Sequence, residues 1–308
     1  MNIALTYNAQ RDDAEGDTAD TIARLAGCLR MLGHDVRAVE VSRPLAELVA
    51  ELTTLAPDLV FNLAEGNRGR AREALYPAIY EQLGLRYTGS SASVLALCLD
   101  KVLAKRVVEA AGVRVPAGAL VRGSSSPDIA LPAIVKPNFE GSSIGITAAS
   151  VVTTRSELAT AIASTLGLFP HGVIVEEYIA GDDIAVAWVA GIGLLPAVRY
   201  VLPPGHTIYD RALKVEARAV PIEVVDLATD SAARAFAALG VTGFGRADFR
   251  VTPSGELVFL EMNPLPSLAW PHNELYAAAA RLGKTPEHVV AAIVANTNDW
   301  PVERSRLH

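Results

Sequence analysis

The chain has 308 residues, 51% of them hydrophobic and 20% charged, enough for a large core and two or three domains. A net charge of −7 argues against nucleic acid as the main partner. The two cysteines, Cys28 and Cys98, sit in apolar helical settings and read as buried thiols, not as a disulfide or a metal pair.

Met1 to Tyr7 reads as a first strand and not as a signal peptide. No apolar run reaches the roughly 18 residues that a membrane span needs. The expectation is a soluble cytoplasmic protein with no membrane partner.

The first third alternates strand and helix. Strands are predicted over 3–7, 36–41 and 59–63. Helices fall between and after them. The first runs from a cap at Asp17 or Thr18 to Leu32, with Ile22, Leu25, Ala26 and Leu29 on one side and Gly33 as its stop. The second spans 44–55 and the third 71–83, ended by Gly84. This is a βαβαβ unit with a parallel sheet. Gly89-Ser90-Ser91 closes it. A helix over 100–111 follows, then short strands over 117–121 and 133–135. Ser156 is the predicted cap of a helix over 157–166, and a strand spans 173–178.

The last third is mixed. Strands over 184–189 and 195–201 read as antiparallel. Residues 203–214 are polar and turn-rich and read as a mobile loop. A helix over 227–239 precedes a hairpin, and Thr285-Pro286 opens the final helix.

Three stretches carry chemistry. The hairpin Gly245–Asn263 is the first, with a turn at Pro253-Ser254-Gly255. Glu261 and Asn263 are two apart and share a face, and Asp248 joins them from the partner strand. Two carboxylates and an amide oxygen form a hard-oxygen set that suits Mg²⁺. The same pattern also describes a polar strand end facing solvent.

The second stretch is Lys136-Pro137-Asn138-Phe139-Glu140-Gly141-Ser142-Ser143-Ile144-Gly145. Glycines let backbone N–H groups approach an anion, serines add hydroxyl donors, and Lys136 adds a point charge. The spacing is not the Walker pattern, and a plain Gly-rich turn has the same composition. The third stretch, Val175 to Asp183, is an apolar strand running into acids and a glycine turn. It could offer backbone hydrogen bonds to a base and an acid to ribose hydroxyls.

In this order the motifs resemble the ATP-grasp fold and, more closely, the D-alanine–D-alanine ligase family. The segments that carry the resemblance are Y-T-G-S-S at 87–91, L-D-K at 99–101, K-P-N-F-E-G-S-S-I-G at 136–145, V-E-E-Y-I-A-G-D-D at 175–183, Y-D-R-A-L-K at 209–214, G-R-A-D-F-R at 245–250 and E-M-N-P at 261–264.

The resemblance implies an α/β chain that becomes α+β toward its C-terminus. It predicts a Rossmann-like domain over 1–90 and ATP-grasp subdomains over 91–175 and 176–308, with the nucleotide between those two. It also implies residue roles. Lys101 and Lys136 are the nucleotide-phosphate lysines, aided by Ser142 and Ser143. Glu176, Glu177 and Ile179 form the adenine edge, and Asp183 stands where the family usually has a ribose-binding Glu. Lys214 closes over the γ-phosphate. Asp248, Glu261 and Asn263 hold magnesium as two ions, with manganese a substitute. Arg246 steadies the acyl phosphate and the later oxyanion.

The implied reaction activates a carboxylate with ATP and joins it to an amine. Both substrates are small molecules. Dimerisation is usual in the resembling family.

The substrate side departs from that family. The stretch Ala64 to Glu73 replaces the family's H-G…G-E-D-G. Val215 stands where a Tyr often follows the lid lysine, and Ser267 stands at a family glycine. Glu65, Arg70, Arg72, Ser267 and His272 are therefore the candidate substrate residues, although the arginines also fit a solvated helix start and His272 a surface histidine. Arg70 or Arg72 could hold a carboxylate bidentately at the carboxyl end of a strand.

An acid–amino-acid ligase with other substrates is the main expectation. D-alanine–D-alanine ligase and a non-catalytic nucleotide-binding module are the alternatives. Arg70→Ala is expected to raise the amino-acid KM more than the ATP KM. Steady-state kinetics with each substrate varied in turn checks this, and the reverse pattern removes Arg70 from the substrate site.

Overall fold

The computed structural model describes residues 1–9, 18–123, 125–216, 220–269 and 273–297. Three sheets organise them. The first takes β1 (Asn2–Tyr7), β2 (Asp35–Glu40) and β3 (Leu59–Asn62) in the order β2-β1-β3, all parallel. Helices α1 (Ala19–Met31) and α2 (Leu45–Leu55) make the crossovers. The Thr18 side chain caps α1 by accepting from the Thr21 N–H at 3.1 Å.

Such a sheet must be covered on both faces. One face, with Leu5 and Phe61, packs on α1 and reaches Phe244, Tyr276 and Val290 of the C-terminal third. The other packs Val60 and Val39 against Leu48, Leu52 and Tyr80.

A 3₁₀ turn at Arg72–Ala74 leads into α3 (Leu75–Leu83), which Gly84 ends in the left-handed region at φ 68°. Then come α4 (Ala92–Leu99) and α5 (Lys101–Ala110). The second sheet holds β4 (Gly118–Val121), β5 (Ala133–Pro137), β6 (Val151–Val152) and β7 (Val173–Glu177), ordered β4-β7-β5-β6 and antiparallel throughout. Helix α6 (Arg155–Leu168) covers it.

The third sheet orders β11 (Ile222–Val225), β10 (Ala197–Tyr200), β8 (Asp182–Val189), β12 (Phe244–Val251) and β13 (Leu257–Asn263), with β9 (Gly193–Leu194) on β8. Helices α7 (Arg211–Glu216) and α8 (Asp230–Leu239) lie between its strands in sequence, and α9 (Glu274–Arg281) and α10 (Pro286–Ala295) follow it. No helix among the described residues is long and apolar enough to cross a membrane.

The differences from expectation have local causes. Residues 203–210 are irregular as expected, but 211–214 are helical: Asp210 accepts from the Leu213 N–H at 3.0 Å and starts α7. Thr154, not Ser156, caps α6, because Glu157 three residues on completes a capping box. α4 follows Ser91 and α9 follows Asn273, each a capping side chain ahead of an apolar helical run. α8 begins at Asp230, three residues later than the pattern suggested.

Gly181 joins β7 to β8 at φ +142°, a conformation that side chains avoid. A Cβ there would overlap the Val251 carbonyl of the neighbouring strand. Gly181→Ala is expected to destabilise the fold by about 2–4 kcal/mol. Urea unfolding monitored by circular dichroism checks it, and a loss below about 0.5 kcal/mol would contradict the packing argument.

Candidate active site

The second and third sheets face each other across a cleft of about 840 Å³, open to solvent. Its walls include Lys136, Glu176, Glu177 and Ile179 from one side and Asp183, Lys214, Arg246, Asp248 and Glu261 from the other. Ser143, Tyr200 and Tyr209 also line it. Most of the residues expected to hold nucleotide and metal therefore share one enclosure.

At the inner end, three charges are buried together. Glu176 is 1% exposed, and its two carboxylate oxygens meet Lys105 at 2.5 Å and Lys136. Strand pairing places Lys136 on β5 beside β7, which carries Glu176, and α5 supplies Lys105. Burial pushes the Glu176 carboxyl up, but the two ammonium groups outweigh it and hold it below its ordinary value. Burial drives Lys105 down to about 8 against the attraction of Glu176. Lys105 carries no motif; its one local signal is its place one helical turn after Lys101.

The hairpin of β12 and β13 brings the expected metal set together. Asp248 lies opposite Glu261 and Arg246 opposite Asn263, with a bulge just after Asp248. The Asn263 amide donates to Asp248 Oδ2 at 3.0 Å. Arg246 forms a bidentate pair with Asp248 at 2.7 and 2.8 Å. Lys101 reaches Glu261 at 3.1 Å and also donates to the Glu140 carbonyl.

Burial raises the Glu261 carboxyl, yet Lys101, Lys136 and Lys214 together hold it well below its usual range. Burial keeps Asp248 above its ordinary value, with Arg246 opposing and Glu261 reinforcing. The donor chemistry, two adjacent carboxylates and an amide oxygen, fits a hard divalent cation. The cations Arg246 and Lys101 balance those carboxylates.

Asp183 is partly shielded from solvent and is also paired. Arg250 pairs with it at 2.8 Å and donates to the Gly181 carbonyl at 2.8 Å and the Thr207 carbonyl at 2.7 Å. The same guanidinium lies 5.5 Å from the Tyr178 ring centre. Arg250 thus ties β12 to the segment before α7, a role no motif signalled.

The two segments expected to close over the cleft touch each other. Ser142 and Ser143 both adopt positive φ, 49° and 54°, which is rare for residues with a Cβ. Ser143 Oγ donates to the Tyr209 carbonyl at 2.8 Å, and Arg211 donates to the Ser142 carbonyl at 3.3 Å. Lys214 lies 5.3 Å from the Tyr209 ring centre. Burial and the nearby Arg246 lower its pKa, while Glu261, Asp248 and Glu274 oppose that shift.

The expected substrate residues are more dispersed. Arg72 is buried; it donates to the Phe139 carbonyl and pairs with Glu140 at 3.2 Å. Arg70 stacks 5.8 Å from the Phe139 ring centre. Both arginines therefore lie against the phosphate-type loop and strap it to the first sheet. The Glu65 N–H donates to Asn8 at 2.6 Å, at the carboxyl ends of β1 and β3. Ser267 is exposed and accepts from Asn273 at 2.5 Å through its carbonyl. His272 lies outside the described residues.

A family model described as D-ala D-ala ligase C-terminus matches residues 121–295. The D-alanine–D-alanine ligase of Gloeobacter violaceus is 32% identical over 256 residues, covering 78% of this chain and 81% of that relative. The D-alanine–D-alanine ligase of Gluconobacter oxydans is 35% identical over 253 residues, covering 78% and 81%.

The chain belongs to the D-alanine–D-alanine ligase family.

As a family member it is a ligase that forms carbon–nitrogen bonds. A solved D-alanine–D-alanine ligase from Bacillus anthracis, complexed with ATP, has a TM-score of 0.72 at 18% identity and covers 96% of each chain. That likeness shows the fold to be ATP-grasp.

Within this family member, Glu176→Gln would leave two buried lysines without a counter-charge. Stability is expected to fall by about 3–5 kcal/mol near neutral pH. Lys105, driven down by burial, would lose the charge that opposes that shift and bind its proton more weakly folded than unfolded, so stability rises with pH and the deficit shrinks toward about pH 9. Urea unfolding at about pH 7 and about pH 9 checks this; a deficit that grows with pH would overturn the sign.

Proposed function

We propose that this ligase uses ATP to activate the carboxylate of one D-alanine as an acyl phosphate, which the amine of a second D-alanine then attacks. The named relatives support the substrate. The observation that carries the chemistry is the meeting of Lys136, Lys214, Arg246, Asp248 and Glu261 in one cleft.

Lys101, Lys136 and Lys214 supply positive charge for the phosphates, and Ser142 and Ser143 supply donors from a loop fixed in positive φ. Glu177 and Ile179 border the base, Glu176 is held at its edge by two lysines, and Asp183 faces the ribose hydroxyls. Asp248, Glu261 and Asn263 would hold one or two magnesium ions, and bound magnesium neutralises charge on the transferring phosphoryl group.

Arg246 stabilises the acyl oxygen as negative charge develops on it. The contact between the Ser142-Ser143 loop and the Tyr209–Lys214 segment excludes water from an intermediate that water would hydrolyse.

A second reading keeps the reaction and changes the substrates to another amino acid or another amine. It is favoured by the arginine-rich stretch 68–72, which packs on the phosphate-type loop through Arg70 and Arg72. ADP release measured against a panel of D- and L-amino acids, with product mass determined, separates the two. D-alanyl-D-alanine as the sole product supports the first reading, and a product lacking D-alanine overturns it. Asp248→Asn is expected to lower kcat at least about 100-fold with an unchanged circular dichroism spectrum, and an unchanged kcat would defeat the metal assignment.

A further inference from the structure

Arg246 is gripped from two sides by two different elements. Its Nε and Nη2 face Asp248 on its own strand, and its Nη1 faces Glu274 Oε1 at 2.5 Å on α9. Both side chains of this second pair are mostly shielded from solvent, at 15% and 16% exposure.

We infer that Glu274 is a positioning residue, which fixes the guanidinium of Arg246 toward the acyl group from the side away from Asp248. The inference rests on the ligase reading, in which Arg246 meets the acyl oxygen.

The two carboxylates differ in what else is asked of them. Asp248 belongs to the hard-oxygen set with Glu261 and Asn263, so its oxygens are shared between Arg246 and any cation held there. An arginine held by Asp248 alone would lose part of its anchor at the moment the site is loaded. Among the described residues, Glu274 forms its ion pair with Arg246 alone. Its carboxylate is set at the first position of α9, where the helix dipole favours negative charge.

The base of that helix is firm. Asn273 accepts from the Leu275 N–H at 2.8 Å and donates to the Ser267 carbonyl at 2.5 Å. Leu275 and Tyr276 are buried in the core shared with the first sheet. Glu274 therefore refers Arg246 to the body of the protein and not to the hairpin alone. A displaced guanidinium is costly, because an error near 1 Å at a reacting group can lower the rate by roughly 100-fold.

Two measurements on the full chain test this. The first needs no turnover. In ligand-free protein labelled with ¹⁵N, the Arg246 guanidinium should show separate Nη resonances from hindered rotation, and Glu274→Gln should merge or shift them. Unchanged Arg246 resonances overturn the inference.

The second is kinetic. Glu274→Gln is expected to lower kcat about 10- to 100-fold while the ATP KM stays within about two-fold. In an Arg246→Lys background the same change should add almost nothing, as coupled residues are non-additive. Fully additive losses, or a rise in ATP KM in place of the fall in kcat, overturn the inference. Glu274→Asp keeps the charge but withdraws it by one methylene and should act in the same direction, which guards against a folding artefact of the Gln variant. A wild-type enzyme that releases no ADP with any amino acid would defeat the ligase reading, and the resonances would still decide whether Glu274 fixes Arg246.

Discussion

Most charges lining the cleft are paired with an opposite one, Lys214 over the Tyr209 ring being the exception, and that pairing is the constraint on which the site depends. A buried, uncompensated lysine or carboxylate is strongly unfavourable, so each must meet an opposite charge or neutralise. Glu176 answers Lys105 and Lys136, Glu261 answers Lys101, Asp248 and Glu274 answer Arg246, and Asp183 answers Arg250. Except for Arg246 with Asp248, both on β12, the partners come from different elements: α5, β5, β7, β8, β12, β13 and α9. The pairs therefore do two things at once. They keep the ionised side chains inside the protein, and through α5, whose Lys105 meets Glu176 and whose Lys101 meets Glu261, they tie both walls of the cleft to one helix.

The same pairing bears on the proposed function. Under that reading Lys101 would exchange Glu261 for phosphate while Glu261 takes a divalent cation, so the site would pass between two balanced arrangements without burying a lone charge. The loop carrying Ser142 and Ser143 is held for that role by its hydrogen bonds to the Tyr209–Arg211 segment.

Much of this was legible from the residues. The period-two spacing of Glu261 and Asn263 across from Asp248 fixed which side chains share a face, and the strand register agrees. The parallel unit at the N-terminus followed from apolar strands alternating with capped amphipathic helices. Three kinds of feature were not legible. Short helices such as α7 have too few turns to show a period, and only the Asp210 cap betrays this one. Long-range partners such as Lys105 with Glu176, or Arg246 with Glu274, are separated by 71 and 28 residues and leave no local pattern. Boundaries moved wherever a capping side chain outcompeted its neighbour, as Thr154 did over Ser156.

The arginines at 70 and 72 show why substrate specificity is the hardest thing to read. From sequence they stand at the carboxyl end of a strand, where a substrate carboxylate would be expected. In the fold their neighbours are Phe139 and Glu140, so they act first on the loop that borders the nucleotide side of the cleft. A change in this stretch would alter the loop and the substrate pocket together. Gly66 makes the coupling tighter, because a side chain there would press on the Arg72 carbonyl. The first sheet therefore holds the loop that carries Phe139 and Glu140 through these two arginines. The nucleotide residues of the proposed function have a spacing visible in the chain, whereas its amino-acid residues depend on how distant segments are strapped together.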